Sequence, residues 1–140
     1  MQNIRNGVGA LIIRDDKILL AERTGSHGEN TFGSVGGHIE YGETPLQALI
    51  REGQEELGII LGEFEFLTCI NLLYYGRHAI NITFIANIVE GEPMIHEPDK
   101  IKSCHWYSLN DLPNPLFEPI IIAINSLNNG KRYVEYSDKI

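Results

Sequence analysis

The chain of 140 residues is one domain's worth: enough to bury a core, and too short for a cofactor domain plus a substrate domain. Its 43% hydrophobic and 21% charged residues are ordinary for a globular protein and exclude wholesale disorder. Eleven Lys and Arg against nineteen Asp and Glu leave a net charge of −8, which disfavours electrostatic capture of nucleic acid or of an anionic membrane surface.

Residues 1–9 carry Arg5 but no apolar segment followed by a small-residue cleavage site, and no stretch approaches the length of a membrane span. No secretory signal is expected, and a cytoplasmic location is the default. Val8 to Arg14 and Lys17 to Glu22, separated by Asp15-Asp16, read as a β-hairpin. Thr24 to Thr31 is polar and glycine-containing, a loop. Phe32 to Glu40 is punctuated by Gly33, Gly36 and Gly37, so it forms short extended pieces and turns close to something that needs bare backbone.

Thr44-Pro45-Leu46-Gln47 is a helix start, with Thr44 as N-cap, Pro45 at the first helical position and Gln47 closing a capping box. The helix runs to about Leu57, where Gly58 supplies a left-handed stop. Leu46, Leu49, Ile50 and Leu57 form its apolar stripe, expected to face the core, and Gly53 sits on the same stripe. Phe64 to Tyr75 and His78 to Val89 flank Gly76-Arg77 as a second hairpin. Glu90 to Lys100 is an acidic loop with two prolines, and Ile101 to Tyr107 is a further strand. A turn of helix is expected after Ser108, a second helix over Pro115 to Leu127, and a surface tail or edge strand in the last ten residues. Cys69 and Cys104 lack metal-ligand or redox spacing and read as buried thiols. Strands, one helix, more strands and a final helix indicate an α+β or mixed-sheet α/β sandwich.

The first helix has an odd polar face. Glu52, Glu55 and Glu56 stand at i, i+3 and i+4, so their carboxylates project from one side. Each like-charged pair costs about 0.2 to 0.5 kcal/mol. The cluster also occupies the C-terminal half of the helix, where the macrodipole disfavours anions. Arg51 relieves part of this repulsion, and a hard divalent cation such as Mg²⁺ or Mn²⁺ would relieve all of it. Gly36-Gly37 upstream offers bare backbone, and Glu43 stands at the helix entrance within reach of Arg51.

Gly37, five residues, Glu43, seven residues and then Arg51-Glu52-Gly53-Gln54-Glu55-Glu56-Leu57-Gly58-Ile59 resembles the signature box of the Nudix hydrolases. Gly37, Glu43, Arg51, Glu52, Glu55, Glu56, Gly58 and Ile59 match at the right spacing. Two positions depart: Gly53 stands where a bulky aliphatic residue is usual, and Val35 replaces the proline common before the double glycine. In a helix interior glycine costs about 1 kcal/mol relative to alanine, and it leaves either a small gap or an unusually close strand contact. The resemblance implies a single Nudix domain over residues 1–140, an α/β/α sandwich with a mixed sheet, and hydrolysis of a nucleoside diphosphate linked to another group by metal-activated water. It implies Glu52, Glu55 and Glu56 as ligands of Mg²⁺ or Mn²⁺, joined by the Gly37 carbonyl. Glu43 and Arg51 would hold the loop and orient the glutamates. Glu55 is the first choice for general base, and Glu97 is its rival.

Outside the box, Gly25-Ser26 to Gly42-Glu43 and Glu97-Pro98-Asp99-Lys100 before Trp106 resemble the MutT-homologue nucleoside triphosphate diphosphatases, which release a nucleoside monophosphate and pyrophosphate. That likeness implies Arg23 on phosphate, His38 hydrogen-bonded to substrate and Phe117 stacked on a base. The plainer readings are a solvated strand-end Arg, a His satisfied by backbone and a core Phe. Tyr74 and Tyr75 lie where dinucleoside polyphosphate hydrolases carry tyrosines, and ADP-ribose and other nucleotide sugars complete the range of substrates. The expected partner is a small nucleotide, with neither nucleic acid nor membrane. A catalytically silent nucleotide-binding Nudix domain is the rival class, and a homodimer rests on the resemblance alone.

Overall fold

The computed structural model describes residues 2–25 and 28–139. In chain order these form strands β1 (Ile4–Arg14), β2 (Lys17–Arg23), β3 (Phe32–Gly33) and β4 (Val35–His38), helix α1 (Pro45–Leu57), strands β5 (Ile60–Tyr74), β6 (Arg77–Glu90) and β7 (Ile101–Ser108), helix α2 (Glu118–Asn129) and strand β8 (Tyr133–Ser137). The strands make a mixed sheet in the order β3-β2-β1-β6-β5-β8, with β4 added against β1 and β7 against β2. β1–β6 and β5–β8 are parallel and the other pairs antiparallel. Among the described residues no helix is long and apolar enough to cross a membrane.

Side-chain alternation divides the core into two layers. Val8, Ala10 and Ile12 of β1 pack with Leu49 and Leu57 of α1, whereas Leu11, between them, packs with Ile120 and Ala123 of α2. The sheet is therefore covered by a helix on each face, the α/β/α arrangement that the resemblance implied.

The first hairpin is shorter than its sequence suggests. Asp15 and Asp16 both adopt left-handed backbone, φ 51° and 63°, which is the two-residue turn a tight hairpin needs. Only Ile13↔Ile18 and Arg14↔Lys17 then pair before the strands part. β2 leaves to pair with β7, and β1 continues between β4 and β6, in register with β6 from Ile4↔His78 to Ile12↔Ala86. β1 is thus the central strand of the site.

Three other boundaries differ from expectation. β5 begins at Ile60 rather than Phe64, because register shifts at Ile60/Leu61, Gly62/Glu65 and Phe66/Thr68 break the alternation that would have marked its start. α2 begins at Glu118 rather than Pro115: the Phe32 N–H donates to the Pro115 carbonyl and the Phe117 N–H to the Phe32 carbonyl, both at 2.9 Å, so this segment is held extended beside β3. No helical turn follows Ser108; residues 109–110 are a simple turn, tied to the first hairpin by the Leu109 N–H, which donates to the Asp16 carbonyl at 3.2 Å. The last residues do form an edge strand, β8. Cys69 and Cys104 are free and half-buried rather than fully enclosed.

α1 starts as its sequence dictates. The Gln47 N–H donates to Thr44 Oγ1 at 3.1 Å and the Thr44 N–H to Gln47 Oε1 at 2.9 Å. Gly58 ends it at φ 66°. Leu49, Gly53 and Leu57 are buried as expected, but Leu46 is 37% exposed, and Ala48 completes the buried stripe instead. Gly53 is a close strand contact, not a gap: a Cβ there would lie 3.2 Å from Leu61 Cγ and 3.3 Å from the Ile59 carbonyl oxygen. The volume that a bulky helix residue would fill is occupied by Leu61. Gly53→Leu is accordingly expected to cost about 1 to 3 kcal/mol by overpacking, and to cost less when made together with Leu61→Ala. Strictly additive losses in chemical denaturation would contradict this packing.

Candidate active site

The site forms where β4 passes under the C-terminal half of α1. Gly36 pairs with Gly9 and Gly37 with Val8 on β1. The carboxylate of Glu52 lies where a side chain at Gly37 would begin, since a Cβ there would be 2.5 Å from Glu52 Oε2. The Gly36 N–H donates to the Glu56 carboxylate, and Glu56 is hydrogen-bonded to Glu52. The two glycines are thus needed because carboxylates pack against bare backbone.

Arg51 ties this pair to the rest of the site. Its Nε and Nη2 donate to the two oxygens of Glu43 at 2.8 and 3.0 Å, its Nη1 to Glu52 Oε1 at 2.6 Å and to Glu55 Oε2 at 3.3 Å, and its Nη2 also to the His38 carbonyl at 2.9 Å. Hydrogen bonds from Arg51, then from the Glu40 N–H, hold Glu43 below the usual carboxylate range. Glu43 and then Glu52 in turn hold the guanidinium firmly charged. Burial, followed by the hydrogen bond and charge of Glu52, pushes Glu56 well above the carboxylate range; the charge of Glu97 adds to this and the Gly36 N–H opposes it.

The acidic loop has a structural task that its sequence did not signal. The Met94 N–H donates to the Leu57 carbonyl at 3.0 Å and the His96 N–H to the Glu56 carbonyl at 2.9 Å, satisfying carbonyls left open at the end of α1. The adjoining Glu97 is thereby brought into the cleft.

That cleft has a volume of about 730 Å³ and is lined by Gly36, Gly37, Glu52, Glu55 and Glu56 together with Arg23, His38, Tyr74, Asn81, Thr83 and Phe117. All the site residues expected from the sequence come together here or in the Arg51 network. Their exposures differ. Glu55 is 49% exposed at its side chain, and Glu52 is 15%. Phe117 is only 7% exposed, and the Arg23 guanidinium lies over its ring at 4.2 Å. The ring is therefore a seat for Arg23 within the core, the plainer of its two sequence readings. Ser26 lies outside the described residues. Asn81 and Thr83 are additions from the structure, although two polar residues at alternate positions of an otherwise apolar strand are a visible signal.

Among the described residues no three Asp, Glu, His or Cys side chains converge closely enough to cage a metal ion as they stand, because Glu55 is turned toward Arg51 while Glu52 and Glu56 meet each other. The donor chemistry nevertheless fits a hard divalent cation. Two half-buried carboxylates are in contact, and both rest against glycine backbone with no side chain in the way.

A site of hard oxygen donors on a helix, facing a wide cleft in an α/β/α sandwich, agrees with the comparisons. The chain belongs to the Nudix family: the NUDIX domain model matches residues 3–123. Members of this family are pyrophosphohydrolases acting on acid anhydrides, and they generally use a divalent metal such as Mg²⁺. The 8-oxo-dGTP diphosphatase of Escherichia coli (strain K12) is 32% identical over 130 residues, 91% of this chain and 100% of that protein. The NAD-capped RNA hydrolase NudC of Pseudomonas aeruginosa (strain LESB58) is 31% identical over 103 residues, 74% of this chain, which spans only 36% of that relative's length. The crystal structure of a MutT Nudix hydrolase from Burkholderia pseudomallei superposes with a TM-score of 0.86 at 34% identity, covering 90% of this chain and 99% of the other.

The charge arrangement has a consequence for stability. A carboxyl group whose pKa is raised by folding favours the folded state while protonated, so its contribution falls as pH climbs from the ordinary carboxylate range through its folded value. Glu43, held low, acts in the opposite sense and only at the acid end. In chelator-treated protein, melting temperature is therefore expected to decline with rising pH above the ordinary carboxylate range, and Glu56→Gln should flatten that decline. Parallel curves for the two proteins would contradict it.

Proposed function

We propose that this chain is a Mg²⁺-dependent nucleotide pyrophosphohydrolase that converts a nucleoside or deoxynucleoside triphosphate to the monophosphate and pyrophosphate. The observation that carries the proposal is the cleft itself, with the Glu52–Glu56 pair on the Gly36-Gly37 ledge and Arg23 lining the same cavity. Full-length similarity to a diphosphatase supports it.

Glu52, Glu55 and Glu56, with the Gly37 carbonyl, would hold the cation, which supplies charge neutralisation at phosphate oxygens and a more acidic water. Arg51, clamped by Glu43, keeps Glu52 and Glu55 at the ledge. Arg23 meets the negative charge of the phosphates. Water attacks one phosphorus as the anhydride P–O bond breaks, pyrophosphate departs, and the proton from water passes to a carboxylate. Glu55 is the first choice for that base, being the most exposed of the three glutamates of the face and oriented by Arg51. Glu97, 27% exposed and 3.8 Å from Lys100, is the rival. In this reading His38, exposed at the end of β4, hydrogen-bonds the substrate. The same reading takes residues 1–140 as one cytoplasmic domain acting on a small nucleotide, with a homodimer as its expected assembly.

A panel of nucleoside triphosphates, ADP-ribose and dinucleoside polyphosphates with Mg²⁺, read by product identification, tests the proposal. A triphosphate is expected to be the best substrate, yielding monophosphate and pyrophosphate. Glu55→Gln is expected to lower kcat about 10² to 10⁴-fold while leaving the protein folded. Preference for ADP-ribose would overturn the substrate assignment, and undiminished turnover in Glu55→Gln would move the base to Glu97.

A further inference from the structure

The floor of the cleft beyond the carboxylates is made by β1 and β6, and it contains a polar pair that the proposed chemistry does not use. Gly7 and Gly9 of β1 are cross-strand partners of Asn81 and Thr83 of β6. Neither glycine has positive φ, so neither is required by backbone conformation. They provide room. A Cβ at Gly7 would be 3.3 Å from Asn81 Nδ2, and one at Gly9 would be 3.4 Å from Asn81 Oδ1, so the amide of Asn81 lies across the two bare positions.

One end of that amide is engaged by the neighbouring strand residue. Thr83, 4% exposed, donates its hydroxyl proton to Asn81 Oδ1 at 2.6 Å. The oxygen is turned toward the strand, and among the described residues Nδ2 has no acceptor. Asn81 therefore offers the cleft a pair of N–H donors with its acceptor already engaged. The Thr83 hydroxyl can donate or accept; in this arrangement it donates to Oδ1, which leaves Nδ2 to the cleft.

The position along the cleft indicates what Asn81 meets. Gly9 is also paired with Gly36, on the ledge that carries the carboxylates. The Gly7–Asn81 row lies two residues further along the strand, about 7 Å. Next to it on the same face come Ala79 and Leu72, paired across β6 and β5, and then Tyr74. With phosphates at the ledge, the nucleoside extends over a floor that includes Ala79, Leu72 and the donor pair of Asn81, with Arg77 also lining the cleft.

Resting on the pyrophosphohydrolase reading, we infer that Asn81 is a specificity-determining residue that reads the base, selecting one whose facing edge carries a ring carbonyl over one that carries an exocyclic amine there. A carbonyl accepts from Nδ2; an amine would oppose donor to donor.

The test compares kcat/KM for ITP with ATP, and for UTP with CTP, pairs that exchange an oxo for an amino group on the base. The expected ratio is about 10 to 100-fold in favour of the oxo member of the pair that is hydrolysed faster. Asn81→Asp puts an acceptor where the donor was and should abolish or reverse the ratio. Thr83→Val releases the amide and should bring the ratio toward unity, an effect that loss of packing alone would not produce. Equal kcat/KM within both pairs, or a ratio unmoved in a folded Asn81→Asp or Thr83→Val protein, would overturn the inference while leaving the pyrophosphohydrolase reading intact. Failure to hydrolyse any nucleoside or deoxynucleoside triphosphate of the wider panel would overturn that reading and the inference with it.

Discussion

The guanidinium of Arg51 joins groups from three separate parts of the chain: Glu43 ahead of α1, Glu52 and Glu55 upon it, and the His38 carbonyl at the end of β4. Without a cation at this point the helix would carry three carboxylates on one side near its negative end, an arrangement that both pair repulsion and the macrodipole oppose. Arg51 neutralises part of that charge, and its planar fork matches Glu43 bidentately, so the loop before the helix is fixed by the same contact that orients the glutamates. The residual repulsion falls on Glu52 and Glu56, pressed together against glycine backbone. That pair is the feature a hard divalent cation is suited to relieve.

The rest of the fold serves to bring backbone to this point. β1 lies between β4 and β6, so one strand supports both the glycine ledge under the carboxylates and the floor of the cleft. The acidic loop closes the end of α1 by donating N–H groups to its last carbonyls, and in doing so adds Glu97 to the cavity wall. α2 covers the opposite face of the sheet and sets Phe117 beneath Arg23. The surplus of negative charge on the chain is thus compatible with an anionic substrate, because part of it is gathered where a metal ion would be held.

What was legible in the sequence was local. Thr44, Pro45, Gln47 and Gly58 mark the ends of α1 because their effects act within a single turn of helix, and the glutamate spacing translates directly into one face. What was not legible depends on contacts distant in sequence. The parallel pairing of β1 with β6 has no local signature, and the start of β5 is hidden by bulges. α2 begins late because residues 115–117 are held beside Phe32. The polarity of Glu90 to Lys100 said loop correctly, but not that Met94 and His96 would cap the helix. Phe117 suits either a base or the core by its chemistry, and the position of Arg23 over its ring distinguishes the two. Gly53 posed a question of gap or contact that Leu61, on the facing strand, answers.

The proposed function depends on the Glu52–Glu56 pair taking a divalent cation. Its most direct test is the melting temperature of the protein as Mg²⁺ is titrated into the millimolar range, compared with Glu52→Gln under the same conditions. A saturable rise of several degrees is expected in the unmodified protein, as for a ligand that binds only the folded state, and little or none in Glu52→Gln. A melting temperature indifferent to Mg²⁺, or an equal rise in both proteins, would contradict it.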